Sequence, residues 1–251
     1  MNFYLPTRNR VSFAAFPALF LVFAIAGSAL AQQKVSRHYP AGKNVRIELK
    51  NLAGTITVET WQRDEIRITA TMEAPAVHFN PRQTDTGLVI DIVGDNRDRR
   101  DVGDVNFKIQ VPSRSSVDLE TRSGQISVSN IQGDLVRAKV WTSGDIILSG
   151  VNAARIFASN TSGDIFFDGE FGSGGTYEFK TGRGAITLRV PANCGFRVVA
   201  TSSAKTISMG EFWNKDMQTL GEGRRITGDV GDGRASVTVT NYQGPITFLR
   251  R

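Results

Sequence analysis

TSGDIILS at residues 142–149 and TSGDIFFD at residues 161–168 are two copies of one octet, and this octet decides the fold. Further copies begin at residues 52, 122, 182, 203 and 242. The third residue is glycine in every copy except the one that carries Lys205. The fifth residue is always isoleucine, at Ile56, Ile126, Ile146, Ile165, Ile186, Ile207 and Ile246. From Ile126 onward the isoleucines are 20, 19, 21, 21 and 39 residues apart, which indicates a repeat of about 20 residues.

Apolar and polar residues alternate through each octet, which is the period of a β-strand with one buried face. Runs this short cannot bury a core alone, but units that each make one turn and stack on their neighbours can. Glycine suits a corner that needs a positive φ or has no room for Cβ. The sequence therefore predicts an all-β, single-domain β-solenoid (β-helix), with stacked isoleucines inside. We expect about seven short coils over residues 113–251, in a rod roughly 33 Å long.

The octet at Gly144 is displaced by one residue from the apolar pair before it, which predicts a β-bulge near Trp141. Residues 32–112 contain longer alternating runs, and we expect them to form an N-terminal β cap continuous with the coils. We interpret the polar run from Gly94 to Asp104, with Arg97, Arg99 and Arg100 among four aspartates, as a solvated loop. The only helical pattern of any length lies at residues 209–220.

Residues 1–31 have the pattern of a secretory signal peptide. Two arginines precede an apolar run from Val11 to Ala26, and a small-residue stretch follows that ends in A-x-A at Ala31. The apolar run is short for a membrane span, which needs about 20 residues. We therefore expect an exported protein, periplasmic, secreted or at the cell surface, with no transmembrane segment after cleavage.

The charge of the chain is only mildly positive. The predicted signal holds two of the 30 basic residues and none of the 24 acidic ones, so the rest has a net charge of about +4. This excess is too small to predict a nucleic-acid partner, and an anionic envelope polymer fits an exported basic protein better. The single cysteine, Cys194, excludes an intramolecular disulfide, and we interpret it as structural.

These features resemble a family of exported bacterial proteins called "putative adhesins", whose function is undefined. The resemblance rests on Ser143-Gly144-Asp145-Ile146 and its neighbours in the series, on Trp61 after the first octet, and on the terminal Gly244-Pro245-Ile246. It covers nearly all of the chain after the signal. The sequence departs from the pattern at Ala185 and Thr206, where the aspartate after the corner is missing. The resemblance implies the fold and, by analogy only, a role in adhesion.

The corner aspartates are the first candidates for chemistry. Asp145 and Asp164 should lie on adjacent coils about 5 Å apart, where a Ca²⁺ ion would relieve the repulsion between their carboxylates. The simpler interpretation, which we prefer, is that each aspartate caps its own corner through backbone N–H groups two residues on. A second acidic pair, Asp229 and Asp232, lies in GDVGDG and resembles one unit of a calcium-binding repeat. The sequence predicts no other cofactor.

The connection at residues 210–234 is basic and rich in glycine. Arg224 and Arg225, together with free backbone N–H groups, would suit an anion there, although a solvated loop explains the same composition. The tryptophans Trp61, Trp141 and Trp213 would suit a sugar-stacking surface, but we expect them to cap or fill the ends of the stack.

Three classes of function remain open at this point. We favour a non-enzymatic envelope or surface scaffold that binds a polymer or protein of the envelope and that can associate end to end through its exposed edges. A polysaccharide lyase or hydrolase would use Asp145 and Asp164, but the chain has no P-loop, G-x-S-x-G or H-E-x-x-H motif. The coils are short, and the one long connection, at residues 210–234, has no obvious acid–base set. A calcium-dependent adhesion module is the third class.

Overall fold

The computed structural model describes Met1 and residues 32–251, and the signal peptide predicted for residues 1–31 falls on residues outside that part. Two sheets face each other across one continuous core. Sheet A has ten strands, in the spatial order β1 (Gln33–Pro40), β4 (Glu65–Met72), β7 (Val105–Pro112), β3 (Ile56–Trp61), β9 (Ile126–Ser129), β11 (Ile146–Val151), β13 (Ile165–Gly169), β15 (Ile186–Val190), β21 (Ile246–Arg250) and β17 (Ile207–Ser208).

Sheet B has eleven strands, in the order β18 (Gln218–Leu220), β19 (Arg225–Val230), β16 (Phe196–Ser202), β20 (Ala235–Gln243), β14 (Thr176–Arg183), β12 (Arg155–Ser162), β10 (Leu135–Ser143), β8 (Ser116–Ser123), β2 (Arg46–Ala53), β6 (Gly87–Asp91) and β5 (Arg82–Thr84). A short helix, α1 (Ile92–Asp95), follows β6. The pattern at residues 209–220 forms a 3-10 turn at Gly210–Phe212 and then β18, so the helix suggested there is absent.

The β-solenoid prediction is confirmed. A coil is one strand of sheet B, a corner, and the next strand of sheet A, and neighbouring coils pair in parallel. Six coils lie within residues 113–251 and two more come from the N-terminal part. The eight coils are β2–β3, β6–β7, β8–β9, β10–β11, β12–β13, β14–β15, β16–β17 and β20–β21. The antiparallel strands β1, β4 and β5 cover one end, and the β18–β19 hairpin extends sheet B at the other.

The isoleucines form one internal column, as predicted. Ile126, Ile146, Ile165 and Ile186 pair in sequence order, and each is at most 1% exposed. β-branched side chains suit this column because their χ1 angle is stiff and their shape fills a pleated surface. The predicted bulge is also present, as a register shift between Val140 and Ser143.

The corner glycines are required for two separate reasons. At five of the six, φ lies between +106° and +150°, a region that L side chains rarely adopt. A Cβ at any of the six would also lie within 2.4 Å of a carbonyl oxygen in the neighbouring coil. At Gly163, for example, that oxygen belongs to Gly144 and is 2.3 Å away. The coils therefore stack so closely that only glycine fits the column.

The last two coils are out of chain order. Ile246 pairs with Ile186 on one side and with Ile207 on the other, so the final coil lies inside the one that precedes it in sequence. Gly244 packs directly on the Gly184 carbonyl, as the glycine column requires. Lys205 stands where the other octets have the corner glycine, and it adopts φ +58°. Its coil is the outermost one at this end of the stack.

The core also contains a column of buried polar side chains, which was not predicted from the sequence. Its members are in register and are all at most 8% exposed: Asn51, Thr121, Asn160, Thr181, Asn241 and Ser202. In the coil of β10 the apolar Val140 takes this position. Four of the polar members bond the carbonyl of a corner glycine in the neighbouring coil. Asn160 donates to Gly144 O at 2.9 Å, and Asn241 donates to Gly184 O at 2.8 Å. The column satisfies acceptors that the close corners bury.

Candidate functional site

The corner aspartates cap the neighbouring coil rather than their own corner. Asp145 Oδ1 accepts from the backbone N–H of Asp164 at 2.8 Å, and Asp164 Oδ1 accepts from that of Ala185 at 2.7 Å. The expected bonds to N–H groups two residues on are replaced by these bonds between coils. The reason is the stacking distance, which brings the next coil's N–H group nearer to the carboxylate. Both side chains are exposed.

The series of aspartate caps ends at Ala185, because the residue stacked on Ala185 has no N–H group that needs an acceptor. Ala185 has no acceptor to offer the next coil, and the residue stacked there is Pro245, which has no N–H group. At the other end of the stack, Asn106 Oδ1 accepts from the Thr55 N–H at 2.8 Å in the same way. The arrangement gives the corner aspartates a structural role in joining coils.

The other candidate acids lie apart from the corner ladder. Asp229 of β19 forms two hydrogen bonds with Arg197, at 2.8 and 3.2 Å, and the bond to Arg197 lowers the pKa of Asp229 below its ordinary value. Asp232 lies in the turn after β19 and pairs with Arg234 at 3.3 Å. Within residues 32–251, no group of three or more His, Cys, Asp or Glu side chains is placed to hold a metal ion.

Replacing Asp164 separates capping from metal binding. We expect Asp164→Asn to change the free energy of unfolding by less than about 0.5 kcal/mol, because the amide oxygen still accepts from Ala185. Asp164→Ala should cost about 1 kcal/mol, as the loss of a helix cap does. Urea denaturation measures both. A melting temperature that rises with added Ca²⁺ in the native protein, but not in Asp164→Asn, would contradict the capping role.

Arg224 and Arg225 lie at the outer end of sheet B. Arg225 begins β19, and the backbone carbonyl of Arg224 accepts from Ser202 at 2.8 Å. Both side chains are exposed. Asp145 and Asp164 stand several coils away, so the structure does not bring the predicted anion and metal candidates into one site.

Cys194 lies in the turn between β15 and β16 and is 9% exposed. Burial raises the pKa of its thiol, so the protonated form dominates at neutral pH. A protonated thiol is a poor nucleophile, which agrees with a structural role for this residue.

A groove of about 1000 Å³ lies beside sheet B, and nothing in the sequence predicted it. It lies between the segment after α1 and the ends of β2 and β8. We call it the basic groove and define it by five cations and one aromatic residue. These are Lys50, Arg97, Arg99, Arg100, Arg122 and Trp141.

The cations of the basic groove have no acidic partners. Within residues 32–251, none of the five forms an ion pair. Two carboxylates also line the groove, but each has another contact: Asp91 accepts from the Gly94 N–H at 2.8 Å, and Glu120 accepts from Trp141 Nε1 at 3.3 Å. The groove therefore has five cations against two carboxylates and a net positive charge.

The segment interpreted as a solvated loop is held in place by buried contacts. Asn96 is 3% exposed, and its side chain bonds both the N–H and the carbonyl of His78, at 2.7 and 2.9 Å. Arg99 donates to the Ala76 carbonyl at 2.5 Å, and Asp95 pairs with Arg82 at 3.2 Å. These contacts fix the backbone that carries the three arginines, so the groove has a rigid wall.

The prediction that Trp141 caps or fills an end of the stack is wrong. Trp141 lies on β10, in the middle of sheet B, and is 54% exposed. The bulge after Val140 displaces the strand here. Lys139 Nζ lies 3.2 Å from the centre of the indole ring, a cation–π contact that orients the ring. The exposed ring is therefore available to a ligand beside the basic groove.

No helix in the described part of the chain combines the length and the hydrophobicity that a bilayer span requires.

Two solved structures match this chain at low sequence identity, and the TM-score of the first exceeds 0.5. A "putative cell adhesion protein" of Clostridium sporogenes ATCC 15579 matches 88% of this chain and 100% of its own, with a TM-score of 0.51 and 13% identity. A "putative adhesin" of Bacteroides fragilis NCTC 9343 matches 88% of this chain and 99% of its own, with a TM-score of 0.31 and 10% identity. No curated protein matches the sequence.

A family model supplies the stronger relationship. The model described as Toastrack DUF4097 matches residues 100–248, which include β7 and, apart from the last two residues of β21, six of the eight coils. The matched residues are more than half of the chain and contain the repeated octets from Arg122 onward. The resemblance in the corner motifs is thus a family relationship, and this chain belongs to the Toastrack DUF4097 family.

Proposed function

We propose that this protein is a non-enzymatic binding protein of the cell envelope or cell surface, which holds an anionic partner in the basic groove. The observation that carries the proposal is the cluster of five unpaired cations around an exposed tryptophan. Unpaired charges close together repel one another, and an anionic partner relieves that repulsion. The signal peptide expected at residues 1–31 would deliver the protein to the compartment where such partners occur.

The fold supports binding rather than chemistry. Parallel strands fix the spacing of the side chains on sheet B, and the segment after α1 is anchored by Asn96 and Arg99. Asp145 and Asp164 are the pair that an enzyme would use, but one carboxylate oxygen of each already accepts a hydrogen bond from a backbone N–H group. Similarity to proteins named for adhesion supports the same class of function.

Reversing charge in the groove tests the proposal. The double variant Arg97→Glu and Arg100→Glu leaves Arg99 in place, so the loop stays anchored. We expect its affinity for an anionic envelope fraction to fall at least about tenfold at low salt, since rim and groove charges govern electrostatic binding. Co-sedimentation at two salt concentrations is the measurement.

The matched control is Arg224→Glu with Arg225→Glu, which makes the same change in net charge at the far end of sheet B. Its affinity should stay within about twofold of the native protein, because those arginines lie several coils from the groove. Equal losses in the two double variants would show that net charge alone drives the binding and would refute the groove as the site.

A further inference from the structure

One row of side chains on the outer face of sheet B carries three lysines, and the corresponding row of sheet A carries none between β3 and β21. Between β3 and β21, a central row on the outer face of sheet A is uncharged, with Thr57, Ser127, Ile147, Phe166, Thr187 and Thr247 in register. Beyond Thr57 the row continues at Lys108, which pairs with Glu59. In the row beside it, Asp168 and Arg189 neutralise each other. The corresponding row of sheet B contains Lys50, Glu120, Lys139, Ser159, Lys180 and Thr240 in register. Asp91 is in register with Lys50 at the start of this row, and the adjacent row of the same face holds Glu48, Asp118, Arg137 and Glu178. Three lysines, and not a uniformly positive face, therefore mark the path that starts from the basic groove.

The lysines of that row have a regular spacing. Lys50, Lys139 and Lys180 belong to every second coil, so successive lysines are about 9.6 Å apart along the stack. Within residues 32–251 none of them forms an ion pair. Nucleic acids carry charges far more densely, about one per 3.4 Å along each strand. The carboxylate of Glu120, between two of the lysines, would repel a phosphate placed there but would accept hydroxyl groups.

Two exposed aromatic rings accompany the lysines. Trp141 is 54% exposed and Tyr242 is 51% exposed, and they are three strands apart on sheet B, or about 14 Å. Each ring has a lysine beside it: Lys139 Nζ lies 3.2 Å from the Trp141 ring centre and Lys180 Nζ lies 5.7 Å from the Tyr242 ring centre. An apolar ring face next to a cation suits a sugar ring that bears or neighbours a carboxylate.

From this arrangement we infer that the partner is a linear acidic glycan, which lies across sheet B along the stack from the basic groove to Tyr242. The inference rests on the proposed function and names the chemistry of its partner. Carboxylates separated by neutral sugars pair with the lysines of alternate coils, and sugar rings stack on Trp141 and Tyr242. The span from Lys50 to Tyr242 crosses five strand spacings, or about 24 Å, so a long oligosaccharide contacts the whole track and a short one cannot.

The test uses hyaluronan oligosaccharides, which carry a carboxylate on every second sugar, and titration calorimetry on the full chain. We expect a decasaccharide to bind the native protein at least about tenfold more tightly than the variant Lys180→Ala with Tyr242→Ala. A tetrasaccharide should not distinguish the two proteins. The control Thr187→Ala with Thr247→Ala, on sheet A, should bind both probes as the native protein does, and circular dichroism confirms that each variant is folded.

Three results would overturn the inference: equal binding of a decasaccharide whose carboxylates have been reduced to alcohols, no loss in the Lys180 and Tyr242 variant, or tighter binding of single-stranded DNA of equal charge. If hyaluronan fails to bind while envelope binding still depends on Arg97 and Arg100, the glycan inference fails and the proposed function stands. If envelope binding is indifferent to those arginines, the proposed function fails as well.

Discussion

Gly163→Ala is expected to lower the free energy of unfolding by about 4 kcal/mol, among the largest effects of any single substitution in this protein. The native φ of +129° is strained for any residue with a side chain. The new Cβ would also lie 2.3 Å from Gly144 O and 2.9 Å from Asp145 Oδ1. The carbonyl cannot retreat, because it belongs to a coil that is itself packed on both sides. Urea denaturation with a fluorescence readout measures the loss.

Two other glycines separate the backbone effect from the steric one. Gly174 has φ +75°, and a Cβ added there would meet nothing within 4 Å, so Gly174→Ala should cost only about 1 kcal/mol. Gly42 has the same free space and no positive φ, so Gly42→Ala should be neutral or slightly stabilising. If Gly163→Ala proves no worse than Gly174→Ala, the close stacking of the corners is not what requires glycine.

The repeated part of the fold was predictable because the physical requirement recurs. Six of the eight coils combine an isoleucine at the Ile165 position with a glycine at the Gly163 position, so both columns appear in the sequence. The order of the last two coils carries a weaker signal. The coil with Lys205 at its corner is the outermost one, and its strand β17 pairs with β21 at only two residues, Ile207 and Ser208. The spacing of 39 residues does not reveal this order, because periodicity reports repeats and not their neighbours.

The basic groove was not predictable by the same means. Three of its cations lie in the segment after α1, which is not part of the repeat. The other two lie on strands that approach this segment only in the folded chain. A polar run with alternating charges is typical of a solvated loop. Ile92 and Asn96 are buried and anchor the segment in the fold. Nothing in their local sequence distinguishes them from residues of a solvated loop.

The polar column did leave a signal in the sequence. Asn, Thr or Ser stands three residues before the corner glycine at Asn51, Thr121, Asn160, Thr181 and Asn241, and Ser202 keeps that distance from Lys205. The bulge at Trp141 breaks the spacing in the remaining coil, where Val140 takes the position. A polar residue at a fixed distance from a glycine predicts a bond to a corner carbonyl, because buried acceptors need donors.

Asn241→Ala is the second substitution for which we expect a large effect. The side chain is 1% exposed and makes three bonds: Nδ2 donates to Gly184 O at 2.8 Å and to Pro245 O at 3.0 Å, and Oδ1 accepts from the Gln243 N–H at 3.1 Å. Alanine leaves all three backbone groups without this partner, and each buried unsatisfied group costs about 1–3 kcal/mol. We expect the free energy of unfolding to fall by about 3 kcal/mol.

Asn241→Thr shows whether the loss comes from hydrogen bonding or from volume. Threonine occupies the same column at position 181, where its hydroxyl donates to Gly163 O at 3.1 Å, so it should recover about half of the loss. Thr240→Ala, one residue away on the outer face, should change the free energy of unfolding by less than about 0.5 kcal/mol. Recovery by Asn241→Val, which has the volume of threonine without its hydroxyl, would mean that packing holds the corner. If Asn241→Thr recovers stability and Asn241→Val does not, the hydrogen bond donated to the neighbouring coil is what stabilises each corner.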